Sequence, residues 1–170
     1  AMRRRGGRVR DDRVGAGGSR PWPRGENGSM SSPSPRTLTA QPPVLSVVLP
    51  VYNESLILDR LYELVKEAVT ASGCQGEIVF INDGSTDGSD QVLDRLAQRD
   101  PQVKVLHFSR NFGHQSALQA GLSEARGDAV VVMDSDLQDD PRGIVEFVAR
   151  WRAGYDVVYV ARGQDKVDGV

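Results

Sequence analysis

The chain has 170 residues, of which 39% are hydrophobic and 26% are charged, which is typical of one globular domain with room for an unstructured segment. A single cysteine excludes an internal disulfide, and Cys74, His107 and His114 do not have the spacing of a zinc site. No apolar run approaches the ~20 residues that span a bilayer and there is no signal-peptide core, so the sequence predicts a soluble chain that is not secreted.

The formal net charge of −2 conceals an uneven distribution of charge. Residues 1–40 hold nine Arg and three acidic residues, so that twelve basic and twenty acidic residues remain in 41–170. Residues 1–43 are also rich in Gly, Pro and Ser and lack apolar periodicity, which predicts a disordered segment. Its Arg residues could contact nucleic acid or an anionic membrane, but no RNA-binding motif accompanies them, so we expect no nucleic-acid partner. Met30 is an alternative to Met2 as the start of translation.

From Val44 onward, short β-branched runs alternate with longer amphipathic segments, which predicts an α/β domain with a mostly parallel sheet between two layers of helices. The predicted strands are Leu45–Leu49, Glu77–Ile81, Val103–Phe108, Ala129–Met133 and Asp156–Val160. Apolar residues at i, i+3, i+4 spacing predict four helices around 58–69, 92–96, 117–122 and 144–151. Asp140 as N-cap and Pro141 at the first helical position are expected to begin the last helix.

Ligands of an open parallel sheet bind beyond the carboxyl ends of its strands, so the segments that follow the strands are the candidate site. Residues 50–54 follow the first predicted strand without a glycine-rich loop, which argues against a dinucleotide fingerprint, a Walker loop and a sugar-nucleotidyltransferase loop. Asp83 lies directly after the second strand, where its carboxylate could accept an N–H of uracil or guanine. The alternative is a turn in which Asp87 or Ser89 caps the next helix, and we leave Asp87 to that role.

Asp134 and Asp136 follow the fourth predicted strand and would repel each other unless a cation lies between them. Hard oxygen ligands favour Mg²⁺ or Mn²⁺, and Gln138 could add a neutral oxygen. Helix capping in an acidic loop is the alternative, which suits Asp139 and Asp140 better. An Asp-x-Asp pair also begins the catalytic loop of haloacid-dehalogenase-type phosphatases, but there it follows an early strand.

Four motifs at successive strand ends together resemble family 2 glycosyltransferases of GT-A fold. The similarity is greatest to the polyprenyl-phosphate sugar transferases, the group that includes dolichol-phosphate mannosyltransferase and the undecaprenyl-phosphate glycosyltransferases. The motifs, in chain order, are Ser-Val-Val-Leu-Pro-Val-Tyr-Asn-Glu (46–54), Asn-Asp-Gly-Ser (82–85), Ser-Arg-Asn-Phe-Gly-His (109–114) and Met-Asp-Ser-Asp-Leu-Gln-Asp (133–139).

The resemblance implies that 44–170 is the Rossmann-like, donor-binding half of a GT-A domain. It implies a nucleoside pocket with Asp83 on the base edge, lined by Pro50, Tyr52, Glu54, Ile81 and Asp83. It also implies metal binding by Asp134, Asp136 and Gln138, with the two aspartates as catalytic residues. Arg162 matches an arginine that contacts the donor diphosphate or sugar, and Arg110, Asn111 and Gly113 would lie beside the donor.

The implied reaction moves a sugar, with inversion, from a UDP- or GDP-linked donor to a polyprenyl phosphate at the cytoplasmic face of a membrane, in the synthesis of cell-envelope glycans. An acceptor phosphate is largely ionised near neutral pH and needs no general base. Members of the family continue beyond the position of Val170 into an acceptor segment and membrane-associated helices. We therefore expect either a fragment of such an enzyme or a truncated module that binds the donor without transfer.

Overall fold

The computed structural model describes residue 35 and residues 44–159, and the latter contain a parallel sheet flanked by helices. The strands are β1 (Val44–Val51), β2 (Gln75–Asn82), β3 (Val103–His107) and β4 (Ala129–Val132). The α-helices are α1 (Leu58–Ala71), α2 (Ser89–Arg99), α3 (His114–Glu124) and α4 (Ile144–Arg152). The predicted α/β class with a mostly parallel sheet is confirmed.

The four strands are hydrogen-bonded in the order β3-β2-β1-β4, so β1 and β2 are central. Alternate residues of β1 point to opposite faces, as a period of two requires. Leu45, Val47 and Leu49 pack in a large core with α1, α2 and α4. Val48 packs on the other face in a smaller core with Ala117 of α3. Helices therefore cover both faces of the sheet, as the buried strands predicted.

One predicted strand is wrong within the part of the chain that the structure describes. Residues 156–159 of the expected strand Asp156–Val160 have no strand pairing, and Val157 and Tyr159 are 79% and 81% exposed. Apolar alternation favours a strand, but a strand also needs a neighbour for its backbone groups, and between residues 44 and 159 only β1 pairs with β4.

The start of the last helix differs from the prediction in type. Asp140 caps it as expected, because its carboxylate accepts the Arg142 N–H at 3.0 Å. The residues that follow, Pro141–Gly143, form a 3₁₀ turn that leads into α4. The predicted disordered segment 1–43 lies outside the described residues, apart from residue 35. None of the helices between residues 44 and 159 has the length and apolar character to cross a membrane.

A single buried carboxylate links the strands near their amino-terminal ends, away from the carboxyl ends where ligands are expected. Glu77 is only 9% exposed and accepts hydrogen bonds from the Ser46 hydroxyl, the Lys104 ammonium and the Arg126 N–H. The Ser46 hydroxyl oxygen in turn accepts the Gly127 N–H at 2.8 Å. Burial opposes ionisation, but the three hydrogen bonds outweigh it, so the pKa of Glu77 lies below its usual value.

We predict that Glu77→Gln lowers the free energy of unfolding at pH 7 by about 1–3 kcal/mol. Gln has one acceptor oxygen, and if this oxygen keeps the Ser46 and Arg126 donors, the NH₂ group faces the Lys104 ammonium, from which it cannot accept. The lowered pKa of Glu77 means that its contribution is present above the ordinary Glu pKa and is lost as the pH falls through the folded-state value. The stabilities of wild type and variant should therefore begin to converge as the pH falls below the ordinary Glu pKa of about 4.3. Urea unfolding at several pH values measures this.

Glu63→Gln is the control for this experiment, because Glu63 forms an exposed ion pair with Arg99 at 2.9 Å. Exposed pairs contribute at most about 1 kcal/mol, so this variant should stay close to wild type. A Glu77→Gln deficit that is the same at pH 3 and pH 7 would contradict the assignment of the effect to charge.

A second prediction concerns the contact between α3 and the sheet. A Cβ atom at Gly121 would overlap with the Val48 side chain and would lie 2.5 Å from Cδ1 of Ile81. Gly121→Ala should therefore lower the free energy of unfolding by about 1–3 kcal/mol through overpacking. At Gly143 the nearest atom to an added Cβ is Cζ of Phe147, 4.0 Å away, so Gly143→Ala should cost nothing. Thermal unfolding of both variants distinguishes the effect of overpacking from the general effect of replacing a glycine by alanine.

Candidate functional site

A cavity of about 450 Å³ opens at the carboxyl ends of the parallel strands. Segments that follow all four strands supply its wall, as expected for a sheet of this topology. Four of the side chains that line it are carboxylates, namely Glu54, Asp83, Asp134 and Asp136. Pro50, Val51, Tyr52, Asn111, His114, Ala117 and Ser135 complete the wall. Four of the eleven residues that line the cavity are thus carboxylates, and the cavity is acidic.

The loop after β1 is held in place by the loop after β2. Asn53 adopts a left-handed backbone conformation with φ 59°, which asparagine tolerates better than most residues. Its backbone N–H donates to the Ser85 hydroxyl at 2.9 Å, and its side-chain oxygen accepts the Thr86 N–H at 2.8 Å. The Glu54 N–H donates to the Ser89 hydroxyl at 3.0 Å. These bonds hold the 52–54 backbone at the cavity wall.

Asp87 bonds to the start of α2 as the sequence predicts, although the N-cap position itself is Gly88. Its carboxylate accepts the Ser89 N–H at 3.0 Å and the Ser55 N–H at 2.9 Å, and thereby joins the start of α2 to the chain that enters α1. Burial disfavours its charged form, yet the hydrogen bonds from Ser89 and Ser55 hold the pKa of Asp87 well below its usual value. Asp87 is therefore a permanently charged structural residue next to the cavity.

Asp83 has a structural task that the sequence did not indicate. It is 3% exposed, and its two carboxylate oxygens accept the N–H groups of Phe112 and Gly113 at 2.7 and 3.0 Å. Asp83 thus holds the loop between β3 and α3 while its carboxylate also lines the cavity. Each carboxylate oxygen can accept more than one hydrogen bond, so this task leaves acceptor capacity for a ligand.

Asp134 and Asp136 both reach the cavity from the segment after β4. Asp134 Oδ1 lies 3.8 Å from His114 Nε2 at the start of α3. Asp136 Oδ1 accepts the backbone N–H of Gln138 at 3.0 Å, while the Gln138 side chain is exposed and does not line the cavity. Among the described residues, no three His, Cys, Asp or Glu side chains are arranged to hold one metal ion.

The negative charges of the cavity affect one another. Burial raises the pKa of Glu54 above its usual value, and the charges of Asp136 and then Asp87 raise it further. A cation bound beside Asp136 would offset the repulsion that raises this pKa. Two carboxylates with open positions beside them also fit the way in which Mg²⁺ or Mn²⁺ is held, with one or two protein ligands and the remainder from substrate or water.

The structure brings together most, but not all, of the residues expected in the donor pocket. Pro50, Tyr52, Glu54 and Asp83 line the cavity. Ile81 does not line the cavity, and this is a correction, because its side chain is fully buried in the smaller core beneath α3. The odd-even alternation of β2 points Ile81 into that core, a direction that the motif alone does not reveal. Arg162 lies outside the described residues.

The loop between β3 and α3 also contributes to the cavity, although the sequence motif alone does not show which of its side chains do so. Asn111 lines the cavity, whereas the Arg110 guanidinium lies over the Phe112 ring, 4.4 Å from its centroid, and does not. His114, the first residue of α3, lines the cavity too. In the sequence it is marked only by its place at the end of the 109–114 motif. The roles of all these side chains in ligand binding stay predictions.

Comparison with known proteins identifies what this chain is similar to. The family model described as "Glycosyl transferase family 2" matches residues 46–170. An uncharacterized glycosyltransferase of Bacillus subtilis, YkcC, is 46% identical over 121 residues, which are 71% of this chain and 38% of the relative. A prophage bactoprenol glucosyl transferase homolog of Escherichia coli is 42% identical over 125 residues, which are 74% of this chain and 41% of the relative. The chain spans about two fifths of the length of these relatives.

A solved structure shows the same architecture. The mannosyltransferase PcManGT from Pyrobaculum calidifontis, in complex with GDP-Man and Mn²⁺, aligns with a TM-score of 0.56 at 25% sequence identity. The alignment covers 70% of this chain and 34% of that protein.

We predict that Asp136→Asn lowers the pKa of Glu54, because the substitution removes a negative charge that raises it. Asn keeps the oxygen that accepts the Gln138 N–H, so the loop should retain its conformation. Carboxyl ¹³C NMR titration of the protein without divalent metal measures the shift. Asp59→Asn, which removes an exposed charge paired with Arg95, is the control and should leave Glu54 unchanged. An unchanged Glu54 titration in Asp136→Asn would contradict the cavity electrostatics.

Proposed function

The chain belongs to glycosyl transferase family 2, and we propose that its 44–170 region binds the nucleotide diphosphate sugar of a metal-dependent, inverting transfer to a polyprenyl phosphate. The observation that supports this most is the acidic cavity itself. Glu54, Asp83, Asp134 and Asp136 line a space at the strand ends where this topology places its ligand. A diphosphate would be repelled there without a cation, so the donor and a divalent metal are expected to bind together.

Asp134 and Asp136 are the residues that would hold the metal. Both reach the cavity, and two carboxylates leave positions open for diphosphate oxygens. When bound, Mg²⁺ or Mn²⁺ would supply positive charge for the departing diphosphate. The Mn²⁺ and GDP-Man in the complex of PcManGT support a metal and a nucleotide sugar as the ligand pair. A contribution from the Gln138 side chain would require the loop to rearrange, because it is exposed outside the cavity.

The nucleoside would occupy the part of the cavity beside Pro50, Tyr52, Glu54 and Asp83. Tyr52 is half-exposed and offers a ring face on which a base could stack. The remaining acceptor capacity of Asp83 suits an imide or N1 hydrogen of uracil or guanine. Glu54 lies at the same wall, where its carboxylate would accept a hydrogen bond from a ribose hydroxyl.

The identity of the molecule that would accept the sugar is inferred from the name of a relative. The name of the Escherichia coli relative refers to bactoprenol, a polyprenol, which suggests a polyprenyl phosphate as acceptor. A phosphate oxygen would bond to the anomeric carbon as the bond to the nucleoside diphosphate breaks, which inverts the configuration. That phosphate is largely ionised near neutral pH, so no residue of the chain has to remove a proton.

The family match replaces the phosphatase alternative, since the Asp-x-Asp pair lies in a glycosyltransferase domain. Donor binding without transfer is a second candidate, because the matched region represents about two fifths of each relative. Incubation with a radiolabelled nucleotide sugar and a short-chain polyprenyl phosphate distinguishes the two. A lipid-linked product indicates transfer, and donor binding without a product indicates the second candidate.

We predict that Asp136→Ala weakens the binding of UDP or GDP in the presence of Mn²⁺ by at least ~10-fold. A loss of about this size follows even when a residue that only hydrogen-bonds to a metal ligand is replaced. Isothermal titration calorimetry with and without Mn²⁺ measures this. Asp139→Ala is a matched control, because Asp139 is an exposed carboxylate of the same loop that does not line the cavity. Equal Mn²⁺-dependent affinities of wild type and Asp136→Ala would refute the proposed metal site.

A further inference from the structure

A chain of side-chain hydrogen bonds runs from Asn82 through His107 to Asp94, outside the lining of the cavity. Asn82, the last residue of β2, is 3% exposed and is paired in register with His107, the last residue of β3. The Asn82 Nδ2 and His107 Nδ1 atoms are 3.0 Å apart. His107 Nε2 is 3.2 Å from Oδ1 of Asp94 on α2. His107 does not line the candidate cavity, and neither the family motifs nor the proposed reaction uses it.

The direction of each hydrogen bond follows from the Ser85 backbone. The Ser85 N–H donates to Asn82 Oδ1 at 2.9 Å, so the amide oxygen of Asn82 faces the turn and its NH₂ group faces His107. His107 Nδ1 must then accept, which it can do only as an unprotonated ring nitrogen. The hydrogen of the neutral ring is consequently on Nε2, from which it donates to Asp94. A neutral Nε2–H tautomer is the form of His107 that satisfies both neighbours.

Asn82 transmits this orientation to the cavity wall. The turn that it holds carries the Ser85 hydroxyl, which accepts the Asn53 N–H at 2.9 Å. Asn53 lies between Tyr52 and Glu54, and both of these line the cavity. Three hydrogen bonds thus connect the His107 ring, through Asn82 and Ser85, to the backbone that presents Tyr52 and Glu54.

The turn also has little freedom to move to another position. Gly84 has φ +67°, and a Cβ there would lie 2.5 Å from the Asn111 nitrogen and would overlap with the Arg110 carbonyl carbon. The 82–86 turn is therefore pressed against the loop that also contributes Asn111 to the cavity. A rotation of the Asn82 amide would remove the acceptor of the Ser85 N–H, and the turn has no space to shift to another position.

We propose that His107 is a positioning residue, which holds Asn82 so that the 82–86 turn and the 52–54 loop keep the conformation that forms the cavity wall. The identity of the ligand in this inference rests on the proposed function, whereas the effect of His107 on the two loops does not. No contact between His107 and a ligand is required, since the residue acts through Asn82.

Two substitutions at this position distinguish positioning from general stabilisation. His107→Leu removes the acceptor and leaves the buried Asn82 NH₂ group without its partner. His107→Asn places a side-chain oxygen near the position of Nδ1, from which it can accept the same hydrogen bond. Asp94→Asn serves as a control, because it keeps an oxygen that can accept from Nε2 and should behave as wild type.

Amide hydrogen exchange of residues 82–86 is the first measurement. The Ser85 and Thr86 amides should exchange roughly three- to tenfold faster in His107→Leu, the effect of about one lost hydrogen bond, and should stay near wild type in His107→Asn. Equal exchange rates in wild type and His107→Leu would overturn the proposal. So would a ¹⁵N NMR spectrum of wild type at pH 8 that places the ring hydrogen of His107 on Nδ1.

Affinity for UDP and for GDP, each with Mn²⁺, is the second measurement. The dissociation constant should rise by a similar roughly three- to tenfold factor in His107→Leu and should be restored in His107→Asn. If His107 acted only on stability, the two variants would differ in thermal midpoint and not in affinity, which would overturn the positioning role. If wild type binds neither nucleotide, the proposed function fails, and the exchange rates alone decide the role of His107.

Discussion

Parallel pairing of the four strands decides where the candidate functional side chains of residues 44–159 lie. Because all four strands run in the same direction, the segments that follow them emerge at one edge of the sheet. The register pairs Val51 with Asn82, and Asn82 with His107, so the ends of three strands lie side by side. Residues that are far apart in the sequence, such as Glu54 and Asp136, meet in one cavity for this reason alone.

The carboxylates at that edge divide into two groups by their hydrogen bonds. Asp83 and Asp87 accept backbone N–H groups from neighbouring loops, so their charge is used to hold the site together. Glu54, Asp134 and Asp136 also face the cavity, where burial and then the charges of Asp136 and Asp87 raise the pKa of Glu54. Two structural acids thus hold loops beside the cavity that contains the acids to which we assign the proposed metal.

The amino-terminal ends of the strands contribute to stability but not to the candidate site. Glu77 joins β2 to Ser46 of β1, to Lys104 of β3 and to the backbone that leads into β4, and its buried charge has three hydrogen-bond donors. Such a buried, fully partnered carboxylate is costly to disturb. Stability and ligand binding therefore depend on different ends of the same strands, and substitutions at one end can be studied with little effect on the other.

The sequence by itself determined the α/β class, four of the five strands that it predicted, the four helices and the loops of the candidate site, because apolar periodicity and strand-end polar residues are local signals. It also determined the contact of Asp87 with the start of α2 and the capping role of Asp140. Tertiary structure decided the rest: Ile81 is buried beneath α3, residues 156–159 form no strand, and Asp83 holds the loop at Phe112 and Gly113. The link from His107 through Asn82 to Ser85 was equally invisible in the sequence. Each of these depends on which strand lies beside which, and on the partners that backbone and side-chain polar groups find there, whereas periodicity describes one segment at a time.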